Sequence, residues 1–166
     1  MEAWLKGPID GVPPYLMPAA HAIVQAVDDA AAAAGSLGTA ELWARPGDAA
    51  SVGFHLRHMA GVPDRLLTYA RGESLSDDQV ARLRAEGEPG APPEEAHALI
   101  EQLRNASERA LEQIRQTPPG SLLDVRGVGT KQIPSTVLGL IFHAAEHMQR
   151  HAGALIATAK ILRARS

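Results

Sequence analysis

Three histidines recur at intervals of four residues near the C-terminal end of the sequence. They are His143, His147 and His151. At 3.6 residues per turn, this spacing places all three along one stripe of a helix. Two imidazoles one turn apart can bind a single metal ion, as they do in zinc sites. His143 and His151 are two turns, about 12 Å, apart. The helix therefore offers one pair of ligands, either His143 with His147 or His147 with His151.

A second cluster of histidines lies earlier in the chain, at His55 and His58. A metal ion held by a pair from the last helix needs a further ligand from another segment, and these two are the clustered candidates. The alternative is that all five are core residues whose ring nitrogens bond to backbone or carboxylate groups. Two clusters on inward helix faces favour the metal site. The isolated His21 and His97 are expected to be structural or solvent-facing.

Composition excludes several classes of function. Cysteine is absent, so a metal ion here must be held by nitrogen and oxygen. A net charge of -3 with scattered basic residues gives no attraction for nucleic acid. No segment approaches the roughly 18 apolar residues that span a bilayer, and the first residues lack the pattern of a signal peptide. We expect a soluble, cytoplasmic protein that binds neither nucleic acid nor membrane.

The pattern of apolar residues predicts helices throughout. Only 4% of the 166 residues are aromatic, which is typical of packed helices rather than of a sandwich or barrel. Four segments have helical periodicity, and Ser76 opens a further short helix with the form of a capping box. The four are residues 15 or 18 to 34, 50 to 70, 93 to 117 and 135 to 163. We therefore predict a single all-α domain over residues 1–166, a four-helix bundle with one extra short helix between helices 2 and 3.

Three segments carry finer expectations. Pro63 lies inside the second helix, where it removes a backbone donor, and it predicts a kink or a break beyond His58. Residues 121–134 contain regularly placed glycines and are compatible with a small hairpin. The last helix is apolar over more than half of its circumference, so it is expected in the middle of the bundle.

Two segments resemble the motifs of DinB-like proteins. SVGFHLRHMAG at 51–61, followed by DRLLTYA at 64–70, is similar to the second helix of that family. HxxEHxxRHxGxL at 143–155 is similar to its C-terminal motif. The resemblance extends over the whole order of helices. It implies a divalent metal ion, often zinc or nickel, held by one histidine from the second helix and a pair from the last. In this sequence these are His58, His147 and His151.

A metal ion with three protein ligands keeps one to three positions open, as catalytic sites do. The resemblance therefore implies a metal-dependent hydrolase that acts through activated water on a small-molecule substrate. Resemblance to a related branch of the DinB-like family implies a thiol S-transferase instead, in which the metal activates a small thiol. The third alternative is a metal-dependent binding or stress-response protein without turnover.

Other residues receive supporting roles or none. His55, His143 and Asp64 are candidates for contacts to the ligands or to a substrate. Glu146 and Arg150 stand four residues apart and are expected to form an exposed ion pair. We assign no general base. Alanine-rich faces expected to be exposed on the first and third helices would suit a homodimer.

Overall fold

In the computed structural model of the protein, residues 1–164 are described, and they form a helical bundle with one small hairpin. The elements in chain order are α1 (Met17–Ala34), α2 (Thr39–Trp43), α3 (Val52–Ala70), α4 (Asp77–Arg84), α5 (Ala96–Gln116), β1 (Val125–Val128), β2 (Ile133–Thr136) and α6 (Val137–Arg163). The four long helices and the short helix α4 confirm the predicted all-α bundle with an extra helix between its second and third long helices.

The long helices pack in a square. Helix α6 lies against α1 and α3, and α5 lies against the same two helices, so α5 and α6 are diagonal to each other. Large apolar side chains from all four helices are buried between them, among them Ile23, Leu56, Met59, Leu103, Ile114, Ile141, Met148 and Leu155. The contact between α3 and α6 brings the two clusters of histidines together.

Local sequence sets where several helices begin. Ser51 Oγ accepts from the backbone N–H of Phe54 (3.1 Å) at the start of α3. At α4, Ser76 Oγ accepts from the N–H of Gln79, and the Gln79 side chain accepts in return from Ser76, which confirms the capping box. Thr136 Oγ1 does the same for Gly139 at the start of α6 (3.0 Å). These side chains satisfy donors that the first helical turn leaves unpaired.

Of the kink or break predicted at Pro63, the break is wrong, because α3 runs without interruption from Val52 to Ala70. Pro63 is itself buried, and buried Val62 and Leu67 lie on either side of it. The free energy gained by burying one continuous apolar face across the proline outweighs the roughly 3 kcal/mol that a proline costs inside a helix.

Helix α5 begins at Ala96 rather than at Pro93 as predicted. Glu94 has another role: its carboxylate accepts from Arg57 (2.6 Å) and its backbone carbonyl accepts from the Trp43 indole (2.9 Å). Glu95, which precedes the helix, is extended. Tertiary contacts thus delay the start of the helix by one turn.

The alanines of α1 and α5 lie on both buried and exposed faces. Ala20, Ala26, Ala30 and Ala34 of α1 are buried, and so are Ala96, Ala106 and Ala110 of α5, whereas Ala32 of α1 is exposed. Small side chains allow the helices to approach closely, so the buried alanines serve the packing within the bundle. A homodimer formed through exposed alanines stays a prediction. A hairpin, with which the sequence between α5 and α6 is compatible, is present, with β1 antiparallel to β2. Within residues 1–164, every helix is too short or too polar to cross a membrane.

Candidate metal centre

Three imidazole rings meet where α3 packs on α6. His58 Nε2 lies 2.9 Å from His147 Nε2. The ring centroid of His151 is 4.3 Å from that of His58 and 4.7 Å from that of His147. One nitrogen from each of the three rings lies within 4.8 Å of the others. The fold therefore assembles three nitrogen donors from two helices at one point.

Burial favours the neutral form of three histidines at this contact. Loss of hydration lowers the pKa of His151 to about 4, and the neighbouring His58 adds to the effect. The same causes lower the pKa of His55 to about 4. Burial also lowers the pKa of His147, again with a contribution from His58. Neutral imidazoles retain the lone pair that a metal ion needs, so His147 and His151 are in the required protonation state at pH 7.

A buried carboxylate orients His58. The Nδ1–H of His58 donates to Glu86 Oε2 (2.6 Å), since an ionised carboxylate can only accept. Burial would raise the pKa of Glu86, but hydrogen bonds from His58 and the charge of Arg65 outweigh it, and the pKa is lowered. With its proton on Nδ1, His58 directs the Nε2 lone pair at His147. A carboxylate behind a ligating histidine is the usual support of such a ligand.

Arg65 and Gly61 hold that carboxylate in place. Glu86 is 5% exposed and Arg65 is 8% exposed, and Arg65 Nη1 donates to Glu86 Oε1 (2.6 Å). Both side chains pass over Gly61, where an added Cβ would lie 2.7 Å from Glu86 Oε1 and closer still to Arg65. Glycine costs about 1 kcal/mol relative to alanine inside a helix. Here it leaves the space that the ion pair occupies.

His55 and Phe54 surround the cluster on the α3 side. His55 is buried, and its Nδ1 lies 2.9 Å from His151 Nδ1, so His151 retains Nε2 for another partner. The ring of Phe54 stacks on His58, with 5.3 Å between centroids and 17° between planes. These contacts restrict the rotation of His151 and His58.

The donor set fits a divalent metal ion. Two nitrogens that each lie about 2.1 Å from one ion are about 3.4 Å apart at a tetrahedral angle, so the 2.9 Å between His58 and His147 needs only a small widening. Neutral imidazoles suit zinc, nickel, copper and iron. Among residues 1–164, the buried Nδ1 of His147 has no hydrogen-bond partner. The polar contact of the His147 ring is therefore the one that its Nε2 makes with His58.

A second group, His143, Glu146 and His147, also has metal-compatible spacing. Its carboxylate is already engaged, because Glu146 Oε1 accepts from Arg150 Nε (3.1 Å) and Nη2 (2.5 Å). The hydrogen bond to Arg150 lowers the pKa of Glu146. His143 is exposed, and its Nδ1 lies 3.3 Å from Glu146 Oε2. The group formed by the three histidines is better buried, and none of its ligand atoms belongs to a carboxylate already paired with an arginine.

The predicted supporting residues divide into two sets. His55 contacts His151, and the ring of His143 lies 5.3 Å from that of His147, so both adjoin the cluster. Asp64 does not, because its carboxylate accepts from Gln79 Nε2 (3.0 Å) in a separate cleft. Sequence reasoning missed Glu86, which follows α4 and has no local feature that marks it. Gly61, a glycine inside a helix, was an available signal of close packing.

A family model matches most of the chain. The family model described as the DinB superfamily matches residues 22–155, a range that includes both histidine clusters. No curated protein sequence matches the chain.

Acidification should destabilise the metal-free protein. In unfolded chains a histidine has a pKa near 6.5, whereas His55 and His151 have values of about 4 in the fold. Between these values the unfolded state binds more protons, so stability rises with pH and is lost as pH falls below about 6.5. Urea unfolding in EDTA at pH 7.5 and 5.5 should show a loss of about 1–3 kcal/mol.

The His55→Gln/His151→Gln double variant should lose much less stability over the same pH interval. The exposed His97 provides the control, since His97→Gln should keep the wild-type dependence. Equal losses in the wild type and the double variant would show that other groups cause the effect.

Glu86→Gln should weaken zinc binding by about 10–100-fold, because it removes the charge that supports His58. Gly61→Ala should act in the same direction by displacing Glu86, although alanine favours the helix. Glu88→Gln is the control, since Glu88 is an exposed carboxylate two residues away. Competition with a chromophoric chelator measures the affinity, and wild-type affinity in Glu86→Gln would contradict the assigned support.

Proposed function

The chain belongs to the DinB superfamily, and we propose that it is a metal-dependent hydrolase whose divalent ion is held by His58, His147 and His151. One observation carries the proposal: three ring nitrogens from two helices lie within 4.8 Å of one another. Zinc or nickel suits imidazole ligands and is the expected ion. A small molecule with an ester, amide or lactone bond is the expected substrate.

The number of ligands supports an enzyme more than a structural metal site. Structural zinc sites use four protein ligands, whereas catalytic sites use three. When bound, the ion would supply Lewis acidity and a lowered pKa for water, which is the chemistry that hydrolysis requires. The protein's part is to hold three donors in fixed orientations, and the buried Glu86 and His55 serve that purpose through their contacts to His58 and His151.

The exposed edge of the cluster supplies groups that can exchange protons with solvent. His143 is exposed and lies one turn before His147 on α6, and the half-exposed Glu146 immediately precedes His147. Phe54 covers His58 on the α3 side and forms an apolar wall. A substrate that enters along α6 would thus meet a polar rim at His143 and an apolar wall at Phe54.

Metal analysis tests the ligand set. The purified wild type, reconstituted with zinc or nickel, should hold about one ion per chain by elemental analysis. His58→Ala, His147→Ala and His151→Ala should each lose most of it, because each removes one of three donors. His97→Ala is the control and should keep the ion, since His97 is exposed on α5. A wild type that binds no stoichiometric ion after reconstitution contradicts the proposal.

Turnover is tested separately from binding. A panel of simple esters, amides and lactones should include substrates that the reconstituted protein hydrolyses without added thiol, and His147→Ala should abolish this activity. A requirement for a small thiol, with transfer of the thiol to the substrate, would identify an S-transferase and overturn hydrolysis. A metal-loaded protein inactive in both assays would support a binding role.

A further inference from the structure

A polar cleft of about 660 Å³ lies between α3, α4 and α5. It is distinct from the group of three histidines, although Glu86 borders both. Four arginines line it, together with three carboxylates and several amides. The arginines are Arg57, Arg65, Arg82 and Arg109, and the carboxylates are Asp64, Glu86 and Glu94. A volume of this size falls within the range of small-molecule sites, about 300–1,000 Å³.

Two of the three carboxylates are neutralised within the protein. Glu94 accepts from Arg57 Nε (2.9 Å) and Nη2 (2.6 Å). Glu86 accepts from Arg65 Nη1 (2.6 Å). These two pairs leave Asp64 as the remaining carboxylate, and Asp64 accepts a hydrogen bond from Gln79. The acidic side of the cleft is thus largely occupied by protein donors.

Arg82 and Arg109 differ from the other two arginines. Neither guanidinium group has a hydrogen bond or an ion pair with any residue in the described part of the chain. Both are exposed and project from different helices, α4 and α5, onto the same cleft. Two guanidinium groups that face one space without a counterion give the cleft an excess of positive charge over the single unpaired Asp64.

Arg65 supplies an independent indication of a ligand. It is 8% exposed, yet within residues 1–164 Nη1 is its one hydrogen-bonding nitrogen. Its other guanidinium nitrogens are not sealed from solvent, and the residue lines the cleft. These nitrogens are therefore free of protein acceptors and can donate to a group bound in the cleft.

We propose that this cleft binds a small molecule through an oxyanion group, a carboxylate or phosphate, held by Arg65, Arg82 and Arg109. Guanidinium groups bind both kinds of oxyanion through paired charge-assisted hydrogen bonds. The exposed amides of Gln102 and Asn105 add donors on the α5 side. A cation is disfavoured because Glu86 and Glu94 are already paired. The proposal does not depend on the metal site or on its activity.

The charge of Asp64 should affect how tightly an anionic ligand binds in the cleft. Its carboxylate repels an oxyanion in the same cleft, so removing its charge should strengthen binding. Asp64→Asn keeps an oxygen that can accept from Gln79, and the local structure is expected to be retained. Substitutions at the arginines and at Asp64 should thus change affinity in opposite directions.

The test uses the full chain, labelled with ¹⁵N and stripped of metal with a chelator, so that an anion cannot bind to an ion held by histidines. Amide spectra are recorded during titration with inorganic phosphate and, separately, with acetate at constant pH and ionic strength. Saturable shifts should appear in residues 57–65, 85–86 and 102–109 with at least one of the two anions. Which anion binds distinguishes phosphate from carboxylate ligands.

Arg82→Gln and Arg109→Gln should each weaken binding by about tenfold or more, the effect of removing one charge-assisted contact. Asp64→Asn should strengthen it. Arg104→Gln is the matched control, since Arg104 is an exposed arginine of α5 that does not line the cleft, and it should bind as the wild type does.

Three results would overturn the proposal. They are the absence of saturable shifts with either anion, unchanged affinity in both Arg82→Gln and Arg109→Gln, and binding that requires the metal ion. The last result would place the anion at the histidine cluster. Because both arginines are exposed, their loss should leave the folded spectrum intact, and the comparison remains valid.

Discussion

The contact between α3 and α6 is the interaction on which the candidate site depends. It packs His55, His58, His147 and His151 against one another, and the protein can accommodate so many imidazoles only while most are uncharged. Burial depresses the pKa of three of them, which removes the repulsion that protonation would bring. The same condition makes their nitrogens suitable ligands. Helix packing and metal binding thus both favour the uncharged form of these imidazole rings.

Glu86 connects this contact to the rest of the bundle. It lies beyond the end of α4, passes over Gly61, and bonds to His58 on one side and Arg65 on the other. The short helix therefore contributes to the site although it carries no histidine. A buried carboxylate is stable only when it is paired, and here the partners are a histidine of the cluster and an arginine of the cleft. One side chain consequently borders both features of the molecule.

Local patterns predicted much of the fold. The four long helices and the extra helix opened by Ser76 follow from periodicity and caps, which act over a few residues. The sequence was compatible with the small hairpin but did not require it. The errors arose where distant residues intervene. Packing carries α3 through Pro63 without a break, and contacts from Arg57 and Trp43 to Glu94 delay α5.

For the site, the sequence alone determined that His143, His147 and His151 share a helical stripe, and that His55 and His58 form a second cluster. Spacing left open which pair of the last helix acts together, and the resemblance to DinB-like proteins favoured His147 with His151. The tertiary structure decided which rings meet: His58 lies against that pair, while His143 stays at the exposed edge. It also supplied Glu86 and the arginine cleft. Helical spacing fixes neighbours along one helix, whereas contacts between helices depend on how whole faces pack.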